Sequence, residues 1–226
     1  MRFRWCPAGT FTMGSPPTEE GRSYDERQHE VTLTKGFWMA ETEVTQRQWK
    51  GVMGGNPSDF KGDDRPVENV SWDDCQEFIA KVNARLPDVQ MRLPTEAEWE
   101  YACRAGTGGA YGGTGNLDEM GWYYGNSGRW THPVKQKRPN AWGLYDMHGN
   151  VWEWCADRCG EYPSGSATDP TGPASGSLRV LRGGSWLDRA SYCRSANRDW
   201  NNPGYRYGNF GFRLCCSAGL RDTGTE

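Results

Sequence analysis

Cysteine and histidine have the widest chemical reach of any residues here, and their spacing decides which reactions are open. Eight Cys stand at positions 6, 75, 103, 155, 159, 193, 215 and 216. Cys155 and Cys159 are four apart and Cys215 and Cys216 are adjacent, so neither pair has the CxxC spacing of a zinc or redox clamp. His occurs only at 29, 132 and 148, too scattered to complete a Cys/His zinc site. Cys193, inside Tyr-Cys-Arg-Ser-Ala, is open to two readings, a nucleophile or a buried structural thiol. No His lies near it in sequence to raise its thiolate fraction. Most of the thiols read as small buried side chains in a reducing compartment, since their density is below that of a disulfide scaffold.

Three helices must position these groups. Ser71 to Leu86 places Cys75, Phe78, Ile79, Val82 and Leu86 on one face, with Ser71 and Asp74 as its start signal. Pro94 to Ala105 opens on a capping box of Thr95 and Glu98 and ends at Gly106. A third helix is expected near Val44 to Met53. Short apolar runs such as Val31 to Leu33, Val180 to Leu181 and Gly211 to Leu214 read as strands joined by long loops, and aromatics spread through those loops argue for order. Pro163 to Gly176 reads as a surface excursion, and no fixed-period repeat or interdomain linker divides residues 1–226. The pattern is one α+β domain.

Composition narrows the function. With 26 Lys plus Arg against 29 Asp plus Glu, the formal charge is −3, which argues against a nucleic-acid partner. No apolar stretch approaches the roughly 18 residues of a membrane helix, so no membrane insertion is expected. Met1 to Ser15 has no signal-peptide apolar region, which makes a cytoplasmic or phage-associated protein the default.

The ordered motifs Gly9-Thr-Phe-Thr-Met-Gly14, Glu43-Val-Thr45, Pro66-Val-Glu-Asn-Val-Ser-Trp72, Arg92-Leu-Pro-Thr-Glu-Ala-Glu-Trp-Glu-Tyr101, Gly149-Asn-Val-Trp-Glu-Trp154, Arg182-Gly-Gly-Ser-Trp186 and Gly211-Phe-Arg213 resemble the signature of the formylglycine-generating enzyme (sulfatase-modifying factor) family. The resemblance implies a C-type-lectin-like fold in that family's variant. It does not by itself imply an activity, because one fold carries many functions.

In the family's oxidases two Cys five residues apart bind copper(I), which prefers soft thiolates. The matching positions here are Asp188 and Cys193, a carboxylate and one thiol, so no copper is expected. Nor do the three His suit the iron site of the related sulfoxide synthases. The stretch Asp146 to Glu153 resembles a calcium loop of the family, which implies carboxylate oxygens from Asp146 and Glu153 and carbonyl oxygens from Gly149 and Val151. The alternative is that Asp146 and Glu153 cap turns and pair with Arg. The family's other calcium loop has no clear counterpart in Tyr124 to Pro139.

The segment 186–211 resembles the variable region of proteins diversified by retroelements. There, adenine-specific mutagenesis of AAY codons cannot yield Lys, Gln, Glu, Met or Trp. The first four types number 34 of 226 residues. A 24-residue window should therefore hold about three or four. Residues 187–210 hold none, and Trp200 is the one exception to the rule. The resemblance implies an exposed binding face of Leu187, Asp188, Arg189, Tyr192, Asp199, Trp200, Asn201, Asn202, Gly204, Tyr205, Tyr207, Gly208, Asn209 and Phe210, rich in the residue types antibody loops use. The bland alternative is an ordinary family loop whose aromatics pack on the domain. Trp72, Trp99, Trp152, Trp154 and Trp186 read as core, and Arg182, Arg194, Arg198, Arg206 and Arg213 as loop braces.

The expectation is therefore a non-enzymatic protein that binds a protein or glycan ligand at 187–210. An oxidase or maturation enzyme using Cys193 is the alternative.

Overall fold

Side-chain caps set where the helices begin. Thr45, Ser71 and Thr95 each accept a hydrogen bond from the third residue of the helix that follows, and Gln48, Asp74 and Glu98 reach back to the cap backbone, so all three starts are capping boxes. The computed structural model describes residues 1–217. Its elements run β1 (Phe3–Cys6), β2 (Gly9–Met13), β3 (His29–Leu33), β4 (Phe37–Ala40), α1 (Gln46–Met53), α2 (Trp72–Arg85), β5 (Met91–Arg92) and α3 (Glu96–Arg104). There follow α4 (Leu117–Met120), β6 (Gly121–Trp122), β7 (His148–Gly149), β8 (Trp152–Arg158), β9 (Ala167–Thr168), β10 (Arg179–Arg182), a 3-10 turn (Ala190–Cys193), β11 (Arg198–Asn201), β12 (Phe210–Gly211) and β13 (Cys215–Ser217).

The three expected helices are present, and the four-residue α4 is an addition. One turn is too short to show a period, and its signal is the Asn116 cap, whose side chain accepts from Asp118 N. Helix α3 stops one residue earlier than Gly106 suggests, because Ala105 itself turns left-handed at φ 44° before Gly106 follows at 88°.

Two four-stranded sheets carry the architecture. One has the order β1-β4-β13-β5, in which the late strand β13 returns to pair antiparallel with β4, setting Cys215 opposite Met39. The other has the order β11-β10-β8-β12, which leaves β11 as an edge. Helix α2 buries Cys75, Phe78 and Ile79 in a core shared with residues of both sheets. The Phe78 ring stacks on Trp49 at 5.3 Å, and Phe212 meets both edge-on. Trp99 and Trp154 are fully buried, while Trp72 and Trp186 are only partly so. Seven of the eight thiols are buried and none forms a disulfide, with Cys159 intermediate. Among the described residues no helix is long and apolar enough to cross a membrane.

Candidate functional site

Beyond β10 the chain has little regular structure, so its shape depends on side chains, and five Arg supply most of the holding bonds. Arg182 donates to the carbonyls of Ser195 (2.9 Å), Ala196 (2.9 Å) and Asn197 (2.5 Å), and to Glu100. Arg194 is gripped by Glu26 and Glu19, Arg198 by both oxygens of Glu96, Arg206 by both of Asp74, and Arg213 by both of Glu153. The planar guanidinium fork suits such paired acceptors.

These braces bring Asp188 and Cys193 to one spot. Gly184, left-handed at φ 70°, passes so close that a Cβ there would lie 2.7 Å from Cys193 Sγ, which excludes any other residue. The Asp188 carboxylate turns inward: its Oδ2 accepts from Trp152 Nε1 at 2.8 Å and from Ser185 Oγ. Burial raises the Asp188 carboxyl, and burial together with the Asp188 charge drives the Cys193 thiol far above its ordinary range. One buried thiol beside a carboxylate already engaged by two donors does not fit the two-thiolate site copper(I) needs. No step through copper is derived.

The loop from Asp146 to Glu153 is tightly wound, with Asp146, Gly149 and Asn150 all at positive φ. Glu153 does not fit as a calcium ligand. Both of its oxygens accept from Arg213 at 2.6 Å, and one also takes Trp99 Nε1 at 2.7 Å, so the Arg-paired alternative holds for this residue. Asp146 does fit: Lys135 N occupies Oδ2 at 2.8 Å, while Oδ1 is buried without a partner. Beside it Glu43, wholly buried, also leaves one oxygen without a partner. Burial and the charge of Asp146 push Glu43 well up, and burial pushes Asp146 to about 6. Two bare carboxylate oxygens in a site that resists their charge suit a hard cation. Glu43 escaped the sequence reading because it stood there only as a family motif, and no spacing ties position 43 to 146.

The face divides unevenly. Leu187, Arg189, Tyr192, Asn202, Gly204, Tyr205 and Tyr207 are exposed, and Asp199, Trp200, Asn201 and Gly208 are half-buried. Three assignments are corrected. Phe210 is buried, since it pairs with Trp152 in β12 and packs edge-on against Trp154. Asn209 is buried beside it and donates to Ser185 Oγ at 3.0 Å. Asp188, half-buried, spends its carboxylate on the interior. Tyr124, by contrast, was overlooked. It is exposed, its N–H donates to Asp188 O at 2.9 Å, and Arg129 lies over its ring, so it adjoins the face. Its signal was one aromatic in a basic segment.

A family model for the sulfatase-modifying factor enzyme 1-like domain matches residues 3–218. The formylglycine-generating enzyme of Streptomyces coelicolor is 41% identical over 78% of this chain, which spans 60% of that relative's length. Among solved structures, Treponema denticola variable protein 1 superposes with a TM-score of 0.89 at 36% identity, covering 95% of this chain and 94% of that one. PvdO from Pseudomonas aeruginosa gives 0.84 at 30% identity, covering 94% and 93%. The expectation of a non-enzymatic protein is overturned by the relatives' names: three further formylglycine-generating enzymes, from mouse, cattle and Thermomonospora curvata, are 35–36% identical. The missing first Cys was too narrow a ground for excluding catalysis. With motifs, domain match and superposition agreeing, the chain belongs to the sulfatase-modifying factor family of formylglycine-generating-enzyme domains, on the C-type-lectin-like scaffold that variable proteins share.

Proposed function

We propose that the protein binds a protein or glycan ligand through the exposed part of 187–208, and engages neither nucleic acid nor the membrane interior. One observation carries the reading. Tyr205 and Tyr207, 49% and 50% exposed, stack at 6.2 Å and 14° on a loop that is already fixed. Arg206 between them clamps Asp74, Asp73 N donates to Pro203 O, and Asn69 N donates to Tyr207 O. Rigid aromatics held before binding give contact area at low entropic cost. The likeness to a variable protein supports the same use of the segment.

The test is selection against a displayed-peptide library and a glycan array. The expected result is a ligand that the double variant Tyr205→Ser/Tyr207→Ser binds at least about thirtyfold more weakly, near 2 kcal/mol, at an unchanged melting temperature. A ligand held equally by the double variant counts against the proposal. That the segment is diversified is tested in the genome. A near-copy of the codons for Trp186 to Arg213 differing only at adenines, beside a reverse transcriptase, is the expected finding.

A structural calcium ion is part of the proposal, with Asp146 and Glu43 supplying carboxylate oxygens and the Gly149 and Val151 carbonyls the remainder. Bound at about a hundred times its Kd, it would stabilise the fold by about 2.7 kcal/mol. Calcium should therefore raise the melting temperature of the wild type and leave Asp146→Asn/Glu43→Gln unmoved. An equal rise in both would refute the site.

The enzyme relatives favour a second reading, in which Cys193 takes part in a maturation reaction. Oxidation of a cysteine-containing peptide that is lost in Cys193→Ser would establish it.

A further inference from the structure

Beside the ligand face, the loop around Tyr124 is knitted to the start of the 187–210 segment. Tyr124 N donates to Asp188 O at 2.9 Å, Ser127 Oγ donates to Trp186 O at 2.8 Å, and Arg129 N donates to the same Ser127 Oγ at 3.1 Å. Arg129 lays its guanidinium over the Tyr124 ring at 5.3 Å and donates to Tyr124 Oη at 2.9 Å. Arg129 and Arg189 therefore both border Tyr124, one across its ring and the other next in the chain after the residue that holds its backbone. From Arg189 the surface continues into a cavity of about 490 Å³ beside the edge strand β11, which Arg22, Tyr192 and Trp200 also line.

Arg22, Arg129 and Arg189 form no ion pair among the described residues, and the last two are exposed. The acids around them are occupied by the protein itself. Asp188 accepts from Trp152 and Ser185, Asp199 from Trp200 N, and Asp118 from Tyr123 Oη at 2.9 Å. Burial raises the carboxyls of Asp188 and Asp199, and the charge of Asp25 adds to the rise at Asp199. Asp25 has both oxygens closed to solvent, so it acts on the cavity only through that charge. The formal charge of −3 on the whole chain matters little at a contact, because physiological salt screens charges beyond about 8 Å.

We propose that this strip, from Arg129 across Tyr124 and Arg189 into the cavity, docks an acidic segment of a partner protein. Each guanidinium offers a planar fork that fits one carboxylate. Tyr124, Leu187 and Tyr192, 49%, 41% and 46% exposed, receive the apolar side chains between those carboxylates. A nucleic acid fits less well, since a phosphate chain draws its affinity from many contacts, on the order of six to ten. The strip offers it Arg22, Arg129 and Arg189 alone, and Asp118 and Asp199 at the margin repel a uniformly charged chain. The inference deepens the reading of 187–208 as a ligand surface and rests on it, naming the chemistry of the partner.

The test is an NMR titration of the whole protein with the end-blocked peptide Glu-Glu-Phe-Glu-Glu, its Gln-Gln-Phe-Gln-Gln counterpart, an oligo(dT) strand and a hyaluronan oligosaccharide. The backbone amides of Tyr124, Leu187 and Arg189 are followed. Saturable shifts with the Glu peptide, about tenfold or more weaker with the Gln peptide and in Arg129→Gln/Arg189→Gln, support the proposal. Should that double variant fail to fold, Arg189→Gln alone is expected to weaken the Glu peptide about threefold or more. No saturation, equal binding of the Gln peptide, or tighter binding of the oligonucleotide or the oligosaccharide overturns it. The variant Tyr205→Ser/Tyr207→Ser separates the two readings, since it should keep the Glu peptide whether or not it loses the ligand selected from the library.

Discussion

Arg182→Leu is expected to lower the unfolding free energy by about 3–5 kcal/mol, the cost of breaking a fully buried ion pair. The guanidinium is wholly buried, contacts Glu100, lies over Trp99, and ties down the carbonyls of Ser195, Ala196 and Asn197. Leucine removes the donors while the acceptors stay, and an unpaired buried acceptor costs more than a hydrogen bond gains. Glu100 keeps Arg104 and Gly14 N, but both on Oε1, so its buried Oε2 is orphaned together with the three carbonyls. Because those carbonyls lead into β11, the same variant should broaden the NMR signals of residues 195–201 before the rest of the protein. Arg206→Leu is the contrast. Its ion pair is exposed, so denaturant midpoints should place its effect within about 1 kcal/mol. A loss below 1 kcal/mol in Arg182→Leu would refute the bracing role.

Much of the scaffold was legible because its signals are local. A capping box needs four consecutive residues, and Ser71-Asp74 and Thr95-Glu98 announced α2 and α3 without any knowledge of the tertiary structure. Arg182, Arg194, Arg198, Arg206 and Arg213 were readable as braces by type, yet the carboxylates they grip lie from 60 to 175 positions away, which no spacing rule reaches. The same limit hid Glu43 beside Asp146 and Asp25 beside Asp199. Phe210 and Asn209 were misplaced for another reason. The substitution pattern speaks of which residues a codon allows, whereas their burial follows from the parallel pairing of β12 with β8. In the protein the interchangeable face ends where that pairing begins.

His148 should make stability fall as the pH drops from about 6.5 towards 4, by roughly 3 kcal/mol in total. The ring is fully buried. Nδ1 donates to Cys193 O at 2.7 Å, and Nε2 accepts from Gly112 N at 3.0 Å. A proton added at Nε2 would face an N–H already aimed at it. Burial lowers the His148 pKa to about 4, the hydrogen bond to Cys193 O opposes the shift, and the charges of Arg104 and Arg213 add to it. Between 4 and the ordinary 6.5 the unfolded chain therefore binds a proton that the native state refuses, so stability rises with pH across that window and is flat above it. Asp146, Glu68 and Asp157 oppose this trend, because burial raises them to about 6, 7 and 7 and the native state takes up their protons first. The wild-type curve alone thus mixes both signs, and the difference from His148→Gln isolates one. That variant should be the less stable protein at pH 7.5, and the gap should narrow by about 1.4 kcal/mol per pH unit below 6.5. A gap that stays constant from pH 7.5 to about 4.5 would mean that the native state accommodates the imidazolium, and that the Gly112 contact yields on protonation.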